Sequence, residues 1–470
     1  MGIVGMSFTV GNVATSNVRT TQDGPIWISG LCLACVALLA ELDVNAMVLV
    51  AIAGLGALAV RRALSALVVV YVLLIAIELL VAARLPWGNV TVTVGPVDTY
   101  AALWIAVAVF AGTLSCAWPP RRTRVVPHGN PSFVPALAIS AGALAVHLIL
   151  ITSGATGVAA QLAGRTSGGG YLGLFGQTGA AIAGGVVLAA HATGRGRSAT
   201  GIAAALLVVL HAVTLAFTGF RSAGPLLLCA IVLARVTGSS RRRRAKQAAV
   251  ILALSAGGIG LFLAGSAIRT DITAQAGPRS GGGPPSVELS NLVDVVTARI
   301  DYREYLARAI ELRDDSSARE AVNLRDQFGA AVPRVLNPNK PSVDYGARIS
   351  QAYFGISTNI RTSSLITSFG DGIVNFGVTG TVLAIGLYVI GLDRIYRTLG
   401  EAPTAGRLAL RIITVSVVID IAPSVVMSAI EIARDSIFTG TTLLIATWLT
   451  RIYGRKNTQQ VAIYRPLVQL

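Results

Sequence analysis

From residue 25 onward, apolar residues come in long blocks separated by short polar or basic turns. The blocks match the ~20 residues that an α-helix needs to cross a bilayer, and about twelve can be drawn. They fall at 25–42, 45–60, 63–84, 98–118, 132–153, 171–192, 200–217, 222–236, 248–267, 370–392, 407–430 and 436–452. Backbone groups in lipid must be paired within the segment or in a closed barrel. The short alternating segments of a barrel are not the pattern here, so the blocks are read as helices. The predicted fold class is all-α, a polytopic transmembrane helical bundle with one large extramembrane helical loop. The predicted divisions are a short tail at 1–24, nine spans at 25–267, a loop at 268–369, three spans at 370–452 and a tail at 453–470.

The loop is the one long polar interruption. Ser280-Gly-Gly-Gly-Pro-Pro285 reads as a linker. Leu289, Leu292, Val293, Val296 and Ile300 then recur at helical spacing, with acids and bases alternating on the opposite face. Ser317 to Glu320 reads as a capping box that opens a second short helix through Val322, Leu324 and Phe328. The loop is thus expected to form a small helical cap over the bundle. No internal repeat is evident.

Composition strengthens the membrane reading. The 470-residue chain is 53% hydrophobic and 13% charged, with mean hydropathy +0.68. A soluble domain carries roughly 25% charged residues. The net charge of +16 alone would suggest nucleic acid. However, Arg61-Arg62, Arg121-Arg122-Arg124, Arg195/Arg197, Arg241–Arg244 with Lys246, Arg394/Arg397 and Arg451/Arg455/Lys456 follow every second span. That spacing is topological: it places both termini in the cytoplasm and the 268–369 loop outside. Membrane lipids, not nucleic acid, are the expected surroundings. The tail lacks a basic n-region and an early apolar stretch, so no cleavable signal is expected.

Catalytic signatures of the commoner kinds are missing. No Walker sequence, Rossmann fingerprint, HExxH or nucleophile elbow occurs, so neither a nucleotide cofactor nor a metal is expected. Cys32, Cys35, Cys116 and Cys229 all lie in apolar blocks. The first two form a C-x-x-C that suits either redox chemistry or simple packing, and packing is preferred. His128, His147, His191 and His211 lack ligand spacing and read as packing residues.

The remaining candidates are charged or amide residues at predicted outer positions. Arg221, in FTGFRSAGP, occupies a short outer turn and suits either interfacial snorkelling or a fixed cation for phosphate. Arg434, in Glu431-Ile-Ala-Arg-Asp435, lies in a predicted outer turn at 431–435 and suits either local ion pairing or anion binding. Asp420, beside Pro423, is an intramembrane carboxylate that is either functional or salt-bridged. In the loop, Pro333, Pro338 and Pro341 stiffen a strip that carries Arg334 and Lys340. The strip suits a pyrophosphate or a solvated surface facing head groups, and Arg348 and Arg361 add cations downstream. Asp371 and Asn375 sit among glycines where the loop re-enters the membrane. Asp371 is a candidate either to orient or deprotonate a hydroxyl, or to cap a helix.

Taken together, VPRVLNPNKP followed by YFGISTNIRTSSLITSFGDGIVNFGVTG resembles the signature of Wzy-type polymerases of O-antigen and exopolysaccharide repeat units. TGFRSAG resembles that family's earlier Arg motif. The resemblance covers about fifty residues closely and the rest only in architecture. It implies a metal-independent, membrane-embedded glycosyltransferase with a GT-C-like bundle in the bacterial plasma membrane. Its substrates would be polyprenyl-diphosphate-linked oligosaccharides, as donor and as acceptor. Other assembly proteins, a flippase and a chain-length regulator, are the implied partners. By motif position, Arg221, Arg334, Lys340 and Arg361 contact the diphosphate or acceptor, Asp371 takes the acidic position and Asn375 that of N-F-G; Arg221 and Asp371 are assigned catalysis, and Arg348 and Arg434 are added as substrate-binding cations. The family more often has Glu at the position of Asp371, which leaves the base open. A ligase-like enzyme that uses another acceptor is the alternative within the same chemistry. A transporter or flippase would predict internal repeats and a path of intramembrane charges, for which only Asp420 and Glu78 are at hand.

Overall fold

A computed structural model of the chain describes residues 133–156, 169–218, 314–332, 345–355, 368–400, 404–419 and 424–464, with isolated positions between them. The described residues form helices and no strand. In chain order these are α1 (Val134–Thr152), α2 (Gly169–Ala192), α3 (Ala199–Phe217), α4 (Ser316–Ala321), α5 (Leu324–Ala331), α6 (Tyr345–Phe354), α7 (Ser368–Gly400), α8 (Ala405–Ile419) and α9 (Val425–Tyr464). Three of them are long and apolar enough to cross a membrane: α1, α3 and the Leu174–Ala192 part of α2. These coincide with the predicted spans 132–153, 171–192 and 200–217. The predicted spans before residue 132, the Leu289–Ile300 helix and all four cysteines lie outside the described residues.

Helix α2 is the axis of the bundle. It packs against α1, α3 and α8 and also meets α9. Its sequence explains why, since small residues line it. Ala180, Ala183, Ala189 and Ala190 are fully buried. A Cβ added at Gly185 would overlap the Ala405 carbonyl oxygen and come within 2.7 Å of the Ala409 nitrogen, so the two backbones are almost in contact. Lipid tails are as apolar as leucine, so close backbone approach and dispersion must supply the association energy.

The outward faces are apolar. Ile202, Leu206, Val209, Leu210, Val213 and Phe217 recur at helical spacing along α3 and are exposed, and Ile437, Leu444, Ile445 and Trp448 form a similar stripe on α9. Stripes of this kind on a water-soluble monomer would be a liability, whereas lipid covers them at no cost. Polar groups turn inward. Ser140 Oγ donates to the Gly179 carbonyl (2.8 Å) and lies 3.1 Å from His211 Nε2. The Ser140 carbonyl is 3.2 Å from the same ring nitrogen. With the hydroxyl proton committed to Gly179, Nε2 is the protonated nitrogen and donates to Ser140. His211 and His147, predicted as packing residues, are both buried between helices.

The C-terminal part departs from the predicted boundaries. Span 407–430 and the turn at 431–435 were expected to precede a last span. Instead α8 ends at Ile419, and α9 starts at Val425 and runs unbroken through 431–435 to Tyr464. The 431–435 stretch has no Gly or Pro, whereas Pro423 removes an N–H and disfavours helix just before α9. Ser424 supplies the start, its Oγ accepting from the Met427 N–H at 2.9 Å. At 40 residues α9 extends about 60 Å, twice the ~30 Å hydrocarbon core, and it includes much of the predicted tail.

The tight α2–α8 approach yields a paired prediction. Gly185→Ala pushes against backbone that cannot step aside and should cost about 1–3 kcal/mol. Gly142→Ala enters open space on α1 and should be neutral or stabilising by up to about 1 kcal/mol. Thermal unfolding of the detergent-solubilised protein measures both; equal midpoints would contradict the close packing.

Candidate functional site

Helices α4, α5 and α6 form a small packed group over the start of α7 and the start of α9. Ala318, Ala321, Val322, Ile349, Tyr353 and Val374 share one buried cluster. Tyr353 is fully buried, and its hydroxyl donates to the Ala318 carbonyl at 3.1 Å. Burial first, then the charges of Asp371 and Asp315, pushes this phenol above its ordinary range, so it remains a neutral donor. Arg308 Nε adds a bond to the Tyr353 carbonyl at 2.9 Å.

The predicted capping box is shifted and the predicted helix is divided. Asp315, not Ser317, is the N-cap of α4, accepting from the Ala318 N–H at 2.9 Å. Ser317 instead donates its hydroxyl to Asp315 Oδ1 at 2.6 Å. The Ser317 hydroxyl and the Ala318 N–H hold the Asp315 carboxyl below the usual carboxylate range. A lowered folded-state pKa means that this cap is in place above the ordinary carboxylate pKa and is lost as pH falls through the depressed value. The chain then breaks at Val322, and Asn323 caps α5 through the Arg325 N–H at 2.8 Å. Phe328 was expected on the packed face but is 57% exposed, while Gln327 is 1% exposed. An amide displaces an aromatic ring from the interior because it has specific partners there.

Those partners form the centre of the site. Gln327 Nε2 donates to Asp371 Oδ1 (2.8 Å) and to the Val322 carbonyl (3.0 Å). Its Oε1 accepts from Ser424 Oγ at 2.8 Å. Carboxylate and carbonyl oxygens only accept, so this orientation of the amide is the one that satisfies every partner. Asn375 Nδ2 donates to the Val322 carbonyl (2.9 Å), the Asp371 carbonyl (3.0 Å) and Asp371 Oδ1 (3.2 Å). Asp371 is 1% exposed. It lies in the first turn of α7, beyond the capping position, so its role here is to anchor two side-chain amides and not to cap. Four parts of the chain meet in this network: α5, the α4–α5 junction, α7 and the start of α9.

Helix α7 is broken just beyond. Gly377 has φ 67° and ψ −178°, a conformation open essentially only to glycine. In a straight helix, Gly372 and Thr381 would stand about 13.5 Å apart. Here a Cβ at Gly372 would overlap the Thr381 side chain, so the chain doubles back at Gly377 as a helical hairpin. Thr381 Oγ1 donates to the Gly377 carbonyl at 2.5 Å and satisfies a group that the break leaves open. Against the hairpin tip lies a cleft of about 720 Å³, lined by Asp314, Arg319, Glu320, Asn323, Ile373, Val374, Asn375 and Gly377. Asn375 belongs to both the buried network and the cleft.

Of the sequence-predicted residues, the fold brings Asp371 and Asn375 together. Arg348 pairs with Asp326 at 2.7 Å on the nearby α5–α6 contact. Its Nε and Nη2 are buried and unbonded. Arg434 pairs with its neighbour Asp435 at 2.9 Å, so local ion pairing is realised. It is about 15 Å along α9 from Ser424 by helical rise and does not join the network. Arg221, Arg334, Lys340, Arg361 and Asp420 lie outside the described residues. Gln327, Ser424 and the α4 residues of the cleft were not anticipated. The available signal was Gln327 itself, a polar residue three positions after Leu324 and four before Ala331 on an otherwise apolar face. Among the described residues, no three His, Cys, Asp or Glu side chains converge as a metal site would require.

The chain matches no family model, no curated protein and no solved structure.

Replacing Gln327 by Leu would leave Asp371, Val322 and Ser424 each short of a partner. Each buried loss costs about 1–3 kcal/mol. Amide exchange across residues 316–331 should accelerate strongly in Gln327→Leu and not in Arg325→Leu, whose side chain is exposed. Equal exchange in the two variants would show that the network does not hold α4 and α5 in place.

Proposed function

We propose that the chain is a membrane-embedded, metal-independent glycosyltransferase that polymerises polyprenyl-diphosphate-linked oligosaccharide repeat units. The observation that carries this reading is the junction at the α7 hairpin. Asp371 and Asn375, the acidic and amide residues of the polymerase-like segment, are joined there in one hydrogen-bonded network beside a polar cleft. In this reading the bundle comprises about twelve spans in the bacterial plasma membrane, with the cap on the outer side. The donor glycan leaves its lipid diphosphate and is joined to the non-reducing end of another lipid-linked unit. The glycosyl–diphosphate bond supplies the free energy, so no nucleotide is consumed.

The chemistry sets three demands. Negative charge develops on the departing diphosphate, and fixed cations are the strongest means of stabilising it. Arg221, Arg334, Lys340 and Arg361 are assigned that task, with Arg348 and Arg434 as further contacts. The acceptor hydroxyl must be oriented and must lose a proton. Asp371 is assigned to it; its buried carboxylate accepts from Asn375, which lines the cleft. The reacting groups must also be held in register. The network between α5, α7 and α9 would do so, because it leaves Asp371 and Asn375 little freedom.

Reconstitution of the full chain with a lipid-linked repeat unit, followed by gel separation, tests the proposal. A ladder of regularly spaced products is expected. Arg221→Ala and Arg334→Ala should each abolish extension while leaving membrane insertion intact. A single addition to a foreign acceptor would replace polymerase by ligase. Transport of the lipid-linked unit with no bond formed would overturn the enzyme assignment, and wild-type ladders from Arg221→Ala would remove that residue from the site.

A further inference from the structure

The cleft at the hairpin tip has a composition of its own. Among the described residues, its lining places Asp314 and Glu320 with Arg319 and with the amides of Asn323 and Asn375. Arg319 is itself paired with Asp314 at 3.2 Å. Among the described residues the lining is therefore net negative, which disfavours a diphosphate beside them. The apolar part is small and comes from Ile373 and Val374. What remains is a set of carboxylate, guanidinium and amide groups, donors and acceptors mixed, around a cleft of about 720 Å³. That volume falls within the ~300–1,000 Å³ of small-molecule sites.

We infer that this cleft is the subsite for the sugar part of the acceptor, holding a neutral, polyhydroxylated oligosaccharide and excluding the diphosphate of its carrier. Each hydroxyl of a sugar both donates and accepts, so it pairs equally well with Asp314, Glu320, Arg319 and the two amides. Asn375 then has a defined part. Its Nδ2 is committed to Val322 and Asp371, which turns its carbonyl oxygen into the group available for a donor. It thereby couples a sugar hydroxyl to the Asp371 network. The two ends of the substrate are sorted by charge, glycan to this acid-bearing cleft and diphosphate to the chain's cations. The inference rests on the function proposed above and deepens it.

The test uses the full chain in lipid nanodiscs, with Cys32, Cys35, Cys116 and Cys229 replaced by Ser. Glu320→Cys and Asp314→Cys each place one thiol in the cleft, and neither removes a cap or a buried bond. The rate of modification by a charged thiol reagent is then measured with three probes: inorganic pyrophosphate, calcium ion, and the free repeat-unit oligosaccharide cut by mild acid from the host's own surface polysaccharide. The oligosaccharide should slow labelling at both positions at least fivefold, and the other two probes should leave it unchanged. Protection by pyrophosphate or calcium alone, or no protection by any probe, overturns the inference. In parallel, Glu320→Ala should raise the acceptor KM about tenfold with kcat little changed, which is the loss of roughly 1.4 kcal/mol of binding. Cysteine variants that the oligosaccharide protects, together with a wild-type chain that forms no ladder, would sink the proposed activity and leave the cleft standing. A ladder without protection would do the reverse.

Discussion

A carboxylate removed from water is costly unless its charge is met by donors, and one end of this molecule is arranged around such a group. Asp371 is enclosed by α5, α7 and α9, and its Oδ1 accepts from Gln327 and Asn375. Neither donor is a cation. Two uncharged amides supply it with hydrogen-bond donors, and one of them, Asn375, also lines the cleft. The same amides reach further, Gln327 to Ser424 and both to the Val322 carbonyl. Ser424 is in turn the cap of α9. The start of a long helix, the break between two short ones and the re-entrant hairpin are thus parts of one hydrogen-bonded unit. Such a unit holds together only when all its members are satisfied.

The bundle beneath obeys a different rule. No apolar driving force acts between helices whose outward faces are apolar, so α2 gains its contacts through small residues and near backbone contact with α8. Some of the polar groups inside it bond one another, as in the Ser140–Gly179–His211 set. Towards the other end of α7, Asp393 pairs with Arg397 at 2.8 Å and Arg411 lies 3.7 Å over the Tyr396 ring. The bundle therefore holds α7, α8 and α9 by shape and a few buried polar contacts. The hairpin can then break α7 at Gly377 without loosening it, because Leu392, Asp393 and Tyr396 are buried towards its other end.

Hydropathy alone located the helices from Val134 to Phe217 closely, because lipid imposes a length and an apolar requirement that the chain cannot meet in another way. It located the α8–α9 region poorly for a related reason. Residues 425–435 include Glu431, Arg434 and Asp435, and a charge-rich stretch between apolar ones resembles a turn. In the fold, Arg434 pairs with Asp435 and the helix continues. Asp371 and Asn375 were legible as chemistry-bearing residues because they stand among glycines at a polar-to-apolar boundary. Gln327 and Ser424 were not, because their partners lie 44 and 97 residues away from Gln327. Periodicity marks which face of a helix is apolar, but it carries no information about which distant group a single buried amide will meet.

The charge distribution connects these observations. Where the side chains at the hairpin are described, the balance is negative or neutral: Asp371 is held by amides, and Asp314 and Glu320 outweigh Arg319. The chain as a whole carries a large positive excess. A catalyst that joins a neutral sugar to one leaving a diphosphate needs both environments, close together but distinct. An acid or amide surface beside the nucleophilic hydroxyl favours loss of its proton to a carboxylate, whereas cations placed there would attract the diphosphate to the wrong subsite. In the sequence, Arg334 and Lys340 fall among Pro333, Pro338 and Pro341, between α5 and α6, and Arg221 falls after α3. On the proposed function, cations and carboxylates serve opposite ends of the substrate, and it is oriented before any bond is broken.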